Sequence, residues 1–554
     1  MNHWQGYPVP AMRIEAPQPD RLVRAFVQRP TSVHAMLARA VMERGAHEAL
    51  VCEGRRWTYA ELDAQAARIA AGLLQRGVGA GDRVALFMGN RAEFVFVLFA
   101  LQRLGAIAVP IGVREARAGL AYMLNQCTAK GIVFDAELAQ RVPGAAEVPS
   151  LALRIAVGEG SGATMGEANG AAEGAANGAE SLADVAAPRP SADAPRSAAD
   201  AAAVHEHATA VILYTSGTTG NPKGAMLTQF NLAHSVLHYQ ACMKLQPGDR
   251  SALAVPASHV TGLVAIILAM VNVGGTVVVV PGFKAPDFVE LVQRERITHT
   301  LMVPAMYTLC LMTPGFAQRD LRSWRIGGYG GAPMPVATID ALSEAVPNLV
   351  LLNAYGATET TSPATMMPAG LTREHADSVG VVLPCAHIIV MDEQGVEVPV
   401  GETGEFWIGG PMVVPGYWDN AGATASSFTA GYWHSGDLGS IDAKGFVRIF
   451  DRKKDMLNRG GFKVYSVEVE NVLMAWPGVV EAAVIGRPCP VLGERVHAFL
   501  YAPEAARDDA AVRRHCAALL ADYKVPETLT WSDSPLPRNA NGKVMKRVLR
   551  EGIA

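Results

Sequence analysis

The sequence predicts an α/β protein: a large N-terminal domain of parallel-rich sheet with a small barrel-like part, then a small α+β domain at the C-terminus. Three observations carry this. Apolar strand runs alternate with helical segments between residues 83 and 135, the same grammar returns further along, and the texture changes near Gly401 to short strands punctuated by glycine. At 554 residues, half of them hydrophobic and 18% charged, the chain is too long for one core and apolar enough for large buried sheets.

Taken in order, MNHWQGYPVPAMRIEAPQPDR has no apolar stretch of the kind a secretory signal needs, so none is expected. RVALFM, the segment Arg91 to Leu104, IAVPI and GIVFD then read as strand, helix with an apolar face, strand and strand, the pattern of a parallel sheet covered on both faces. Between residues 158 and 203 the text reduces to Ala, Gly, Ser, Asp and Pro. So little apolar surface cannot offset the entropy of ordering it, and a disordered surface insertion is expected. Strand runs resume at AVILY (210–214), TVVVVP (276–281) and LVLLNAYG (349–356).

Gly262 to Val280 is apolar enough to raise the membrane question. Asn272 and Gly274-Gly275 interrupt it short of the ~20 residues a span needs, so it reads as helix, turn and buried strand. After Gly401, GETGEFWIGGP and GFVRIFDR predict the barrel-like part. The block from Asp451 holds a helix-like Ser466–Trp476 segment, a VVEAAVIG strand and a basic tail. The expected domains are therefore residues 1–450 and 451–554.

A formal net charge of -4 with no basic stripe argues against a nucleic-acid partner. Seven scattered cysteines without a CxxC pair argue against zinc or a disulfide framework and for reduced thiols in a cytoplasmic protein.

Chemistry concentrates in Tyr214-Thr215-Ser216-Gly217-Thr218-Thr219-Gly220-Asn221-Pro222-Lys223-Gly224, which follows a buried strand. Glycines let backbone N–H groups wrap a phosphate, hydroxyls add donors and lysine adds a point charge. Pro222 stands where the P-loop pattern needs its second glycine, so this is a different phosphate loop. The string resembles the signature loop of the superfamily of acyl-CoA synthetases, nonribosomal-peptide adenylation domains and firefly-type luciferases. The resemblance runs from Trp57-Thr58-Tyr59 to Lys543, and further motifs follow in the family's order.

That resemblance implies two parallel-rich sheet subdomains, a small β-barrel and a mobile C-terminal domain. It also assigns roles. Thr215, Ser216, Gly217, Thr218, Thr219, Gly220 and Lys223 would hold ATP phosphates. In Asn353-Ala354-Tyr355-Gly356-Ala357-Thr358-Glu359, Tyr355 would pack on adenine, Thr358 would contact phosphate, and Glu359 would hold Mg²⁺ together with Thr215. A hard cation bridging phosphates suits carboxylate oxygen. Asp437, in Gly431-Tyr432-Trp433-His434-Ser435-Gly436-Asp437, would accept from both ribose hydroxyls, which a carboxylate with two acceptor oxygens and no donor does well. Arg452 would contact ribose or phosphate, Lys454 would be the hinge, and Gly460-Gly461 would admit the pantetheine arm of coenzyme A. The chain departs from many relatives at Phe462-Lys463, where they carry Glu-Asn.

Lys543, at the end of LPRNANGK, matches the family's catalytic lysine, whose cation stabilises charge as a carboxylate attacks the α-phosphorus. The acyl pocket is expected from His259, Thr261, Gly262, Tyr329, Gly330, Gly331, Ala332 and Ala354, with His259 as a gate. Ser251–His259 holds no aspartate to pair an amino acid's ammonium, and these stretches hold no Arg or Lys for a second carboxylate.

The expected activity is ATP-dependent ligation of an apolar monocarboxylic acid to coenzyme A through an acyl-adenylate, with a fatty acid preferred and aryl or cinnamate-type acids as the alternative. Loading of an acyl carrier protein is a second alternative. No fused carrier domain is expected after Lys543, and the insertion here precedes the Thr215–Lys223 loop, whereas carrier-loading ligases carry one between the second and third motifs. A catalytically dead acyl or adenylate sensor is a third, but Lys543, Glu359 and Asp437 are all retained. Luciferase-like oxygenation remains open at this point.

Overall fold

The computed structural model describes residues 3–18, 20–158, 179–187, 204–215, 221–503, 507–538 and 544–552. It divides into two compact units, Met1–Ile388 with Ile408–Trp433, and Ile389–Trp407 with His434–Ala554.

The first unit is built on two sheets. One has seven strands in the order Lys223–Thr228, Thr209–Thr215, Ile107–Pro110, Arg83–Phe87, Gly131–Asp135, Leu153–Val157 and Glu180–Ser181. Every pairing is parallel except the first. Its central strands are apolar almost residue by residue because both faces are covered. The helix Ala92–Leu104 buries Ala92 and every residue from Phe94 to Gln102, more than the single apolar face the sequence predicts. The reason is a second layer: Val33–Arg44 and Tyr59–Gln75 pack over it.

Low-complexity text hides a folded piece. The expectation of a disordered surface insertion fails for residues 179–187, where Glu180–Ser181 extends the sheet and the helix Leu182–Ala186 buries Leu182, Val185 and Ala186. Arg76 Nε contacts Glu180 Oε1 at 3.0 Å, and a Cβ on Gly72 would lie 1.7 Å from the Val185 carbonyl oxygen, so this segment docks where only glycine leaves room. The rest of the expected insertion, 159–178 and 188–203, lies outside the described residues.

The second sheet has nine strands, from Val381–Val382 through Thr365–Met366, Val350–Tyr355, Ile326–Tyr329, His299–Met302, Arg250–Leu253, Thr276–Val279 and Glu48–Cys52 to Arg55–Thr58. Its six central strands are parallel and antiparallel pairs close both edges. The helix Gln229–Met243 is buried along nearly its whole length, including His234 and His238. The Gly262–Val280 stretch resolves as expected into a helix, a turn at Gly274 and the strand Thr276–Val279; its first part, Thr261–Leu268, is a π-helix. No described helix is long and apolar enough to cross a membrane. All seven cysteines are buried and free.

In the second unit the strand Val447–Arg452 pairs antiparallel with the chain from Asp437 to Ile441. Beyond it lies a sheet ordered Phe462–Val464, Leu457–Arg459, Gly493–Tyr501 and Glu481–Cys489, with Thr528–Ser532 parallel to Gly493–Tyr501. The helices Ser466–Met474 and Asp509–Leu519 cover it through Val469, Leu473, Val512 and Cys516. Two parallel-rich sheets, a half-barrel and this α+β region make up the mixed α/β fold.

Candidate functional site

In the first unit the phosphate-loop sequence closes a hairpin. Thr215 and Lys223 are register partners at the ends of antiparallel strands, so the loop leads into a strand and not into a helix N-terminus as a P-loop does. Ser216, Gly217, Thr218, Thr219 and Gly220 lie outside the described residues, as does Lys543.

Opposite Thr215 stands Glu359, on the loop that follows Val350–Tyr355. Gly356 opens that loop where a Cβ would sit 2.9 Å from Pro363 Cα, so the tight return needs glycine. Glu359 is 7% exposed. Its Oε1 accepts from the Tyr417 hydroxyl at 2.9 Å and lies 3.5 Å from Thr215 Oγ1. Lys223 Nζ sits 5.1 Å above the Tyr417 ring centroid. Burial, together with the Glu359 charge, pushes the Tyr417 phenol well above its ordinary range, so it remains a donor to the carboxylate. Tyr417 thus joins Thr215, Lys223 and Glu359, and sequence reasoning missed it. Its only local signal is a Gly-Tyr-Trp string that reads equally well as core. The Val414 N–H also donates to the Glu359 carbonyl at 2.9 Å, which fixes the backbone beneath the carboxylate.

A carboxylate and a hydroxyl within 3.5 Å offer the hard oxygen donors that Mg²⁺ takes. No group of three or more His, Cys, Asp or Glu is poised for a metal among the described residues, so such a cation would complete its shell with phosphate and water.

The residues expected for the acid are placed as follows. His259 Nδ1 lies 3.1 Å from Thr261 Oγ1, half-buried at the start of the π-helix. A Cβ on Gly262 would strike the Pro256 carbonyl oxygen at 2.3 Å, and one on Gly330 the Ala354 carbonyl oxygen at 2.4 Å, so both glycines serve close backbone approach. Gly331 and Ala332 are exposed, whereas Tyr329 is fully buried in the core with Met302, Tyr307 and Trp324. Asn90, which sequence reasoning passed over, clamps the segment before His259. Its amide donates to the Leu253, Val255 and Val280 carbonyls and its Oδ1 accepts from the Ala257 N–H. Asn353 is buried, and Tyr355, Gly356 and Thr358 are half-buried.

In the second unit Asp437 and Arg452 face each other across the antiparallel pair, joined by Arg452 Nε at 2.6 Å from Asp437 Oδ1. Lys454 is exposed. Gly460 and Gly461, at φ 61° and 90°, form the two-residue turn between Leu457–Arg459 and Phe462–Val464; a turn of that type needs positive φ at both positions, which accounts for both glycines by itself.

Next to Lys543 in sequence, the helix Lys546–Glu551 is tied down at both ends. Lys546 Nζ reaches Ser466 Oγ at 2.6 Å and Glu470 Oε1 at 2.7 Å, and Ser466 in turn donates to Asp451 Oδ1 at 3.0 Å. Arg550 pairs with Asp455 at 2.9 Å. Burial raises the carboxyls of both Asp451 and Glu470, which makes Lys546 their necessary counter-ion.

With this geometry in hand, the sequence matches two family descriptions in tandem, AMP-binding enzyme over residues 37–418 and AMP-binding enzyme C-terminal domain over residues 468–543. The chain belongs to the AMP-binding, adenylate-forming enzymes. Similar proteins include the long-chain-fatty-acid–CoA ligase FadD13 of Mycobacterium tuberculosis, 32% identical over 90% of this chain and 93% of the relative. The fatty acid–[acyl-carrier-protein] ligase ScoC of Streptomyces coeruleorubidus is 31% identical over 97% of this chain and 98% of its own length. Among solved structures, o-succinylbenzoate coenzyme A synthetase from Bacillus subtilis in complex with ATP and magnesium ion superposes with a TM-score of 0.79 at 27% identity, over 95% of this chain and 99% of that one. Within its class this protein is an ATP-dependent, AMP-forming acid–thiol ligase of the acyl-CoA synthetase family.

Proposed function

We propose that the enzyme joins an apolar monocarboxylic acid, a fatty acid before an aryl or cinnamate-type acid, to coenzyme A. The observation that carries the choice of acid is the composition of the segments expected to line its pocket: Ser251–His259 holds no acidic side chain for an ammonium group, and Thr261 and Ala354 are small. Similarity to FadD13 supports the fatty acid, and similarity to the o-succinylbenzoate enzyme keeps the aryl alternative in view. ScoC supports a carrier protein as the second reading of the acceptor.

In the first half-reaction Thr215, the loop 216–220 and Lys223 hold the phosphates while Asp437 accepts from the ribose hydroxyls. A carboxylate oxygen of the acid attacks the α-phosphorus, the bond to the bridging oxygen breaks, and pyrophosphate leaves. Lys543 stabilises the charge on the attacking carboxylate and the α-phosphate. Mg²⁺, when bound, neutralises charge on the phosphates; Glu359 and Thr215 would hold it, with Tyr417 fixing the Glu359 carboxylate. In the second half-reaction the thiol sulfur attacks the acyl carbon, loses its proton and displaces AMP. Lys454 is the hinge about which the C-terminal segment turns between the steps, and Gly460-Gly461 lie along the path of the thiol.

Acid-dependent pyrophosphate release across fatty acids of graded length, benzoates and cinnamates tests the acid, and product analysis with coenzyme A against a purified holo acyl carrier protein tests the acceptor. A fatty-acid optimum and an acyl-CoA product are expected. Preference for an aryl acid, or transfer only to the carrier, would replace this reading with its alternative.

A further inference from the structure

The turn that carries Glu359 is bent against its own residue types. Thr361 and Ser362 sit at φ 51° and 32°, a left-handed pair in which neither residue is glycine and the first is β-branched. Such backbone persists only where its surroundings hold it. Some of the hold is internal. The Thr361 N–H donates to the Thr358 carbonyl at 2.9 Å, the Ser362 N–H donates to the Ala357 carbonyl at 3.0 Å, and Thr360 Oγ1 accepts from the Ala357 N–H at 2.8 Å.

The rest comes from one helix of the first unit. Tyr239, fully buried on Gln229–Met243, places its hydroxyl 3.0 Å from Ser362 Oγ. Burial raises the Tyr239 phenol, so the bond is not lost to ionisation at neutral or mildly alkaline pH. About two turns earlier on the same helix, buried Asn231 donates to the carbonyls of Pro411 at 2.8 Å and Val413 at 2.9 Å. The next residue, Val414, is the one whose N–H donates to the Glu359 carbonyl. The helix therefore grips the turn on both sides of the carboxylate, through the 411–414 segment at Glu359 and through Tyr239 at Ser362. Its own start is fixed by a capping box directly after the strand Lys223–Thr228. Thr228 Oγ1 accepts from the Asn231 N–H at 3.1 Å, and Asn231 Oδ1 accepts from the Thr228 N–H at 3.0 Å.

We propose that Tyr239 is a positioning residue for adenylation: its bond to Ser362 holds the Glu359 carboxylate against Thr215 and so sets how tightly the nucleotide-bound metal is taken. It acts through the turn and not on the nucleotide. The inference rests on the metal-binding reading of Glu359.

The test measures metal binding without turnover. Mn²⁺, a paramagnetic stand-in for Mg²⁺, is titrated into the full chain with ATP present and acid absent, and bound Mn²⁺ is read by electron paramagnetic resonance. Tyr239→Phe keeps the ring and deletes the hydroxyl. It should weaken Mn²⁺·ATP about fivefold, the size of one neutral hydrogen bond, while AMP without metal binds as before. Ser362→Ala should weaken it equally, and the double variant no more than either alone, because all three remove the same bond. Should Tyr239→Phe fail to fold, Ser362→Ala at the half-buried end of the bond decides the matter. Unchanged Mn²⁺·ATP affinity, additive losses, or equal losses for Mn²⁺·ATP and AMP would overturn the proposal. Glu359→Gln separates the two readings. If it leaves Mn²⁺·ATP affinity unchanged, the metal reading of Glu359 fails and this inference with it. If it weakens that affinity and Tyr239→Phe does not, this inference alone fails.

Discussion

The Tyr417 hydroxyl donates to Oε1 of Glu359 across 2.9 Å, although 58 positions separate the two in sequence. The bond is buried, and the same phenol ring lies under the Lys223 ammonium, so one side chain holds both a carboxylate and a cation of the proposed nucleotide site. Its removal should be felt at the metal before it is felt at the acid.

Tyr417→Phe keeps the ring beneath Lys223 and deletes only the donor. Supporting hydrogen bonds behind metal ligands are typically worth about 10- to 100-fold in metal affinity or activity. The Mg²⁺ concentration for half-maximal pyrophosphate release should rise by about that factor, with KM for the acid little changed. An unchanged Mg²⁺ dependence would remove Tyr417 from the metal site.

Lys543→Ala should cripple pyrophosphate release from ATP and acid while sparing thioester formation from supplied acyl-AMP. Assays of the two half-reactions read this directly. Equal loss in both would contradict the assignment of Lys543 to adenylation alone.

Buried histidines set an acid limit on the first unit. Burial drives His234 down to about 4 and His238 to about 3, from 6.5 in an unfolded chain. Between those values the unfolded state binds more protons than the folded one, so stability is present above pH 6.5 and falls as pH drops toward 4. His238→Gln can still accept the Cys385 N–H, which His238 Nε2 takes at 3.2 Å, but cannot titrate. Urea midpoints measured at successive pH values should therefore fall less steeply in the variant. Parallel slopes would contradict the account.

Lys546→Met removes the cation from two buried carboxyls in the second unit. The expected loss is about 2 kcal/mol, below the roughly 3–5 kcal/mol of a fully buried broken pair because Lys546 and Glu470 retain some exposure. Adding Glu470→Gln should restore part of it in thermal unfolding. A single variant as stable as the parent would show the cluster to be dispensable.

How much of this was legible in the sequence depended on whether the determining contacts were local. Val84 to Phe87 and Gly131 to Asp135 read as buried strands because continuous apolar text has few other uses. The Thr215–Lys223 loop announced itself because glycines, hydroxyls and a lysine fall within nine positions. Tyr417 did not, because its partners lie at 223 and 359, and an aromatic beside glycine looks like core. The Leu182–Ala186 helix was hidden because only three side chains in alanine-rich text reach the core, and the room for Val185 is made by Gly72 on a distant helix. Gly460-Gly461 illustrates the reverse: the pair stood out in sequence, but a two-residue hairpin already demands both glycines.

The most direct test of the central claim, attack by the acid on the α-phosphorus, follows the acid's own oxygen. The full chain is supplied with a fatty acid isotope-labelled at both carboxylate oxygens, together with ATP, Mg²⁺ and coenzyme A, and the AMP is weighed by mass spectrometry. The account predicts that AMP carries one labelled oxygen and pyrophosphate carries none. ADP with label in inorganic phosphate, or AMP without label, would contradict it.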